Sequence, residues 1–179
     1  MQGPHSRINY LCNNLIMGAE PRQEDIQSIL DSGVTVFINL TENLNYELPS
    51  NIEYYHYPIK PGKAPSTKMM NEILSLINSK NNNNENVYFH CTGGHGRAGL
   101  VACIVIGKMY NLDTVESIEY VEKCRNDRKD ISRNFIPIPE MPVQINLIDK
   151  FLGLKHGNTK PDRSNTDWLK QVRKERIKR

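Results

Sequence analysis

The sequence predicts an α/β domain built on a mainly parallel sheet. Three observations carry that expectation. Short, β-branched apolar runs alternate with segments whose apolar residues recur near every 3.6 positions. The links between them are short, and a glycine-rich turn joins one strand directly to one helix. With 179 residues, 38% hydrophobic and 7% aromatic, the chain is sized for one globular domain with a packed core, and composition excludes global disorder.

The elements follow in order. Residues 15–17 read as a short edge strand. Residues 22–31 read as a helix with Ile26, Ile29 and Leu30 on one face, stopped by Gly33. The run 34–40 (VTVFINL) is of buried-strand length. A second strand spans 53–57 and is closed by Pro58. In 67–80, Met69, Met70, Ile73, Leu74, Leu76 and Ile77 form a helical stripe with Ser66 as N-cap. Four asparagines, 81–84, disfavour helix and strand and make a polar loop. Residues 87–90 form a short central strand, followed by helices at 98–110, 114–125 and 144–152.

No apolar run approaches 18 residues, and the first 20 residues lack the basic and apolar regions of a signal peptide. A soluble cytoplasmic protein without a transmembrane segment is therefore expected. Cys12, Cys91, Cys103 and Cys124 show no zinc or C-x-x-C spacing and read as reduced thiols. The net charge of +3 is uneven: residues 160–179 hold eight Lys/Arg against three acids, so the rest of the chain carries −2. That excludes a strongly basic, nucleic-acid-binding body and leaves a basic tail able to contact an acidic partner. The chain divides into a domain of residues 1–153 and a tail of 154–179, with a short helix capped by Asn165 or Thr166 and pinned by Trp168. A monomer is expected.

The chemistry concentrates in residues 90–99, HCTGGHGRAG. A strand delivers Cys91 to a loop that runs into a helix N-terminus. Three glycines in four positions let successive N–H groups turn inward as an anion cradle, and the helix dipole adds positive potential. That field favours the thiolate, a strong nucleophile. Arg97, six residues on, supplies a planar fork for two phosphoryl oxygens. Two rivals stand beside this reading. A buried cysteine next to a tight turn is one. The other is a dinucleotide site, because residues 94–99 match G-x-G-x-x-G. That fold needs a strand ending in an acid about 20 residues on, whereas Asp113 opens a helical pattern.

His90-Cys91, five residues, then Arg97 resembles the H-C-x5-R signature of the protein tyrosine and dual-specificity phosphatase superfamily, over about residues 10–153. The blocks 34–42, 57–59 and 65–66 resemble those upstream of the signature in the compact dual-specificity type. The resemblance implies a three-layer fold with a mostly parallel sheet of four or five strands and helices on both faces. It implies Cys91 as nucleophile and Arg97 as clamp. Thr92, Gly93, Gly94, His95, Gly96, Arg97 and Ala98 would bind phosphate, with His90 in support. Gln144, in the late segment PEMPVQ, would orient the hydrolytic water. No cofactor or metal is implied. The substrate would be a phosphorylated protein, or an acidic ligand such as an RNA 5′ end or a phosphoinositide.

Two departures matter. The family's general-acid aspartate falls on Pro61, with no acid between Glu53 and Glu72; Asp162 or Asp167 of the tail is an alternative donor. Ala98 replaces the hydroxyl residue that usually follows the arginine. Both departures favour a phosphate-binding pseudophosphatase; the retained Cys91 and Arg97 favour an enzyme. His95, where inositol-phosphate-cleaving relatives often carry Lys, is read either as a cation for acidic substrates or as an exposed loop tip.

Overall fold

The computed structural model describes residues 5–178. Five strands, β1 (Ile8–Cys12), β2 (Leu15–Gly18), β3 (Val34–Asn39), β4 (Glu53–His56) and β5 (Asn86–His90), form one sheet in the order β1-β2-β5-β3-β4. Strands β1 and β2 pair antiparallel; every other neighbouring pair is parallel. The expected mostly parallel sheet is therefore observed.

One element differs. Segment 15–17 is not the edge, because β1 covers it through a hairpin that pairs Cys12 with Leu15. The period-2 signal that would reveal β1 is broken at Asn9, which is buried like its neighbour Ile8. Its amide oxygen is buried because it accepts a hydrogen bond from Arg128.

Alternation along the inner strands builds two cores. Leu15, Met17, Val36, Ile38, Val87 and Phe89 face one side with the buried residues of helix α2 (Thr67–Asn82) and helix α3 (Arg97–Tyr110). Ile16, Phe37 and Tyr88 face the other, against Ile26 and Ile29 of helix α1 (Ile26–Asp31). Each fully buried side chain of this kind contributes about 1.5–3 kcal/mol, so both faces need their helices. Helix α1 is shorter than the sequence suggests. Its first turn is 3-10 (Gln23–Asp25), since the Asp25 carboxylate accepts from both the backbone and the guanidinium of Arg22.

Ser66 caps α2 as expected, accepting from Met69 N at 3.1 Å. The helix runs two residues into the asparagine tract before Asn84 turns left-handed at φ 58°. Helix α3 is buried over its first eleven residues and is the central helix of the larger core. It packs against α4 (Thr114–Asn126) and α5 (Pro142–Leu152). Asp113 and Glu116 form a capping box for α4. Helix α5 starts two residues earlier than expected because Pro142 suits the first helical position. Helix α6 (Asp167–Ile177) folds back on the body, with Val172 buried and Arg133 paired to Glu175 at 3.1 Å. Among the described residues no single helix is long and apolar enough to cross a membrane. The parallel strands place their C-terminal ends along one edge, where α/β proteins build their sites.

Candidate active site

Strand β5 ends at His90, which is fully buried and stacked on Tyr88. Its Nε2 meets the Tyr46 hydroxyl at 2.7 Å and its Nδ1 the Cys91 carbonyl at 3.1 Å. Burial lowers its pKa to about 4, against the Cys91 carbonyl contact that raises it. A neutral imidazole thus braces the strand end beneath the loop.

Cys91 is 3% exposed, and the Gly94 N–H is aimed at its sulfur at 3.2 Å. The loop reaches this geometry because Gly94 sits at φ 74°, where an L side chain is strained. Space excludes a side chain as well: a Cβ there would lie 2.5 Å from Arg128 Nη2 and 2.6 Å from the Gly18 carbonyl carbon. The other three thiols lack such a setting, and burial pushes each of them up, Cys124 to about 11.

Arg97 opens α3 and is 6% exposed. Its Nη1 donates to the Ile59 carbonyl at 2.8 Å and its Nη2 to Thr92 Oγ1 at 3.0 Å. Those bonds fix the plane of the fork and leave the remainder of its five N–H groups for a ligand. Ala98 is buried.

The outer side of the loop is held by two buried arginines that sequence reasoning missed. Arg128 donates to the carbonyls of Gly93 (3.1 Å) and Gly94 (2.9 Å) and to Asn9 Oδ1 (3.0 Å). Burial, then Arg125, lowers its pKa to about 10, so it remains a cation. Arg125, with no exposed surface, donates to His95 Nδ1 (2.9 Å), the Ile136 carbonyl (2.8 Å) and the Asn134 carbonyl (3.1 Å). The only local signal for these residues was basic character at the end of α4.

Neither reading of the His95 side chain holds. It is 4% exposed, so it is no exposed loop tip. Burial and the surrounding arginines depress it well below the ordinary histidine range, so it is neutral. Its Nδ1 accepts from Arg125 rather than facing a substrate.

Gln144 is fully buried beside the loop. Its Oε1 accepts from Glu140 N (3.1 Å) and Met141 N (3.0 Å), and its Nε2 donates to the Lys63 carbonyl (3.1 Å). It clamps two segments together: 140–144 and the loop that carries Pro61. Pro61 itself is exposed, between Lys60 and Lys63. The alternative tail donors are committed elsewhere: Asp162 accepts from Ser164 and Asp167 from Lys170, and both are held below the usual carboxylate range. Glu140 lies beside Gly96 of the loop. Were Gly96 to carry a Cβ, that atom would lie 3.0 Å from Glu140 Cδ and 3.1 Å from its Oε2.

The chain matches the family described as "Tc-R-P: Polymorphic toxin system, DSP-PTPase phosphatase" over residues 13–109. It is similar to protein 067L of Invertebrate iridescent virus 3, which bears the name of a tyrosine phosphatase, at 29% identity over 158 residues, covering 80% of this chain and 64% of that one. It is similar to cyclin-dependent kinase inhibitor 3 of Sus scrofa at 28% over 145 residues, covering 70% and 68%. The chain spans less than two thirds of the length of the viral relatives, 64% of 067L and 42% of protein 197R from Invertebrate iridescent virus 6. The crystal structure of Tk-PTP in the active form shares the fold at a TM-score of 0.70 and 22% identity, covering 82% of this chain and 96% of that one. PTPMT1 in complex with PI(5)P shares it at 0.68 and 16%, covering 80% and 93%.

Proposed function

This chain belongs to the DSP-PTPase phosphatases, and on that premise we propose that it hydrolyses phosphate monoesters of proteins through a phosphocysteine on Cys91. The observation that carries the reading is the Gly94 N–H directed at the Cys91 sulfur, within a loop whose Gly93 and Gly94 carbonyls are drawn outward to Arg128. Carbonyls turned out leave amides turned in, and inward amides stabilise a bound anion.

In the first step the sulfur attacks phosphorus and the ester oxygen leaves. The loop amides and the free edge of the Arg97 fork hold the equatorial oxygens, where charge develops. In the second step water attacks phosphorus and the thiolate departs. Ala98 offers no hydroxyl to that departing sulfur, so the second step is slowed. Gln144 acts as a positioning residue, since its oxygen is spent on two backbone N–H groups.

A polar cavity of about 680 Å³ opens beside Thr92, with Arg7, Arg22, Glu20 and Asp130 among its lining residues. Charges of both signs suit a peptide flanking the phosphorylated side chain. A second reading, an acidic ligand such as a phosphoinositide or a 5′-triphosphorylated RNA, draws on exposed Lys60 and Lys63, which flank the Pro61 position.

The test is a substrate panel with Cys91→Ser as blank. Phosphopeptides should turn over faster than phosphoinositides or RNA 5′-triphosphates, and Cys91→Ser should abolish turnover while still binding phosphate. Binding without turnover in the wild type would leave a pseudophosphatase instead.

A further inference from the structure

Resting on that phosphatase reading, we propose that Glu140 is the proton donor and acceptor of the reaction, the role for which the loop around Pro61 has no acid. The Glu140 carboxyl packs against Gly96, the loop residue immediately before Arg97 and the N-cap of α3. It is anchored from both sides. Its own N–H donates to Gln144 Oε1 at 3.1 Å. On the preceding residues, Arg163 spans two carbonyls, with Nε on Pro139 at 2.9 Å and Nη2 on Ile138 at 3.0 Å. Gln144 ties the same segment to the Lys63 carbonyl, so the backbone that carries the carboxyl is held against the loop that contains Pro61.

The other acids of the cavity and the tail already accept hydrogen bonds, Asp130 from Ser132 among them. Glu20 accepts from Asn45, Asp162 from Ser164 and Asp167 from Lys170. The groups facing Glu140 are the Arg97 guanidinium and the Gly96 N–H, which favour the carboxylate; burial opposes them and prevails, raising it above an ordinary glutamate. A carboxyl shifted in this direction keeps its proton longer than an ordinary glutamate does and can pass it to a stronger base.

One carboxyl serves both steps because in-line chemistry places the leaving oxygen and the later water at the same apex, opposite the sulfur. In the first step the S–P bond forms and the P–O ester bond breaks. The Glu140 proton goes to the leaving oxygen. In the second, Glu140 takes a proton from water as the new P–O bond forms and the S–P bond breaks, regenerating the thiolate and the protonated acid. The tail enters through Arg163, as a positioning residue.

The experiment compares wild type, Glu140→Gln and Arg163→Ala on aryl phosphates of increasing phenol pKa, across pH. The amide of Glu140→Gln keeps the shape and an acceptor for Gly96 but carries no titratable proton. Wild type should show a shallow dependence on phenol pKa and lose activity as pH rises through the Glu140 titration. Glu140→Gln should be slower by about 10²-fold on weakly acidic phenols and lose that alkaline limb. On strongly acidic phenols it should burst and then stall as phosphocysteine. Arg163→Ala should show a smaller defect of the same kind, with the limb displaced. A wild-type rate that falls steeply with phenol pKa overturns the proposal, whether or not the variants fold. So does a Glu140→Gln enzyme with the wild-type slope and pH profile. In both cases turnover would still require Cys91, which separates this failure from failure of the phosphatase reading.

Discussion

Arg128 is a buried cation whose partners are Asn9 and two loop carbonyls, with no carboxylate among them. Removing a guanidinium from water costs several kcal/mol, and here only dipoles offset it. The return is a loop whose carbonyls are held outward and whose interior carries a fixed positive charge behind it. Arg128→Lys keeps the charge but loses the fork, leaving at least one carbonyl unpaired at about 1–3 kcal/mol. We expect a fall in unfolding free energy of that size and at least a tenfold loss of kcat/KM, measured by denaturant titration and steady-state kinetics. An unchanged kcat/KM would detach Arg128 from the loop's function. Cys91 and Arg97 were legible because loop, nucleophile and clamp lie on ten contiguous residues. Arg125, Arg128 and Glu140 were not, because α4 and the 134–140 segment reach the loop only through tertiary packing.

The strand-loop-helix unit from β5 into α3 is the element on which the site depends, and its tightest point is Gly94. Gly94→Ala would need a left-handed alanine and a Cβ 2.6 Å from backbone of Gly18. The first costs about 1 kcal/mol, and the second has no flexible neighbour to yield. We expect loss of well over tenfold in activity and weaker phosphate binding by calorimetry; wild-type phosphate affinity would mean that the loop tolerates a shifted Gly94 amide. The elements with clean periodicity, β3, β5, α2, α3 and α4, were readable within a residue or two. Strand β1 was not, since buried Asn9 hides its alternation, and α1 was read too long because a side-chain bond at Asp25 tightens its first turn. Both readings of His95, substrate-facing cation and exposed loop tip, miss its burial for the same reason as the arginines: nothing local records that Arg125 covers it.

At the scale of the whole molecule, folding buries neutral imidazoles beneath and behind the loop. His90 has a folded-state pKa of about 4 against 6.5 when unfolded, and His95 is depressed in the same direction. Between those values the unfolded chain binds protons that the folded chain does not. Stability is therefore full above about pH 6.5 and falls as pH drops toward 4, by up to about 3 kcal/mol for His90 alone. Calorimetry should show Tm declining steadily from pH 7 to 4.5; a flat Tm over that range would mean that neither ring is held neutral by burial. The sheet edge delivers Cys91 to the braced loop that Arg97 closes, and the proposal requires that its sulfur is phosphorylated during turnover. Rapid acid quench during turnover of an acidic aryl phosphate, followed by mass mapping, tests it most directly. One phosphoryl group per chain is expected, carried on the peptide containing Cys91 and absent from Cys91→Ser. Steady turnover with no phosphorylated Cys91 peptide at any quench time, or turnover surviving in Cys91→Ser, would contradict it.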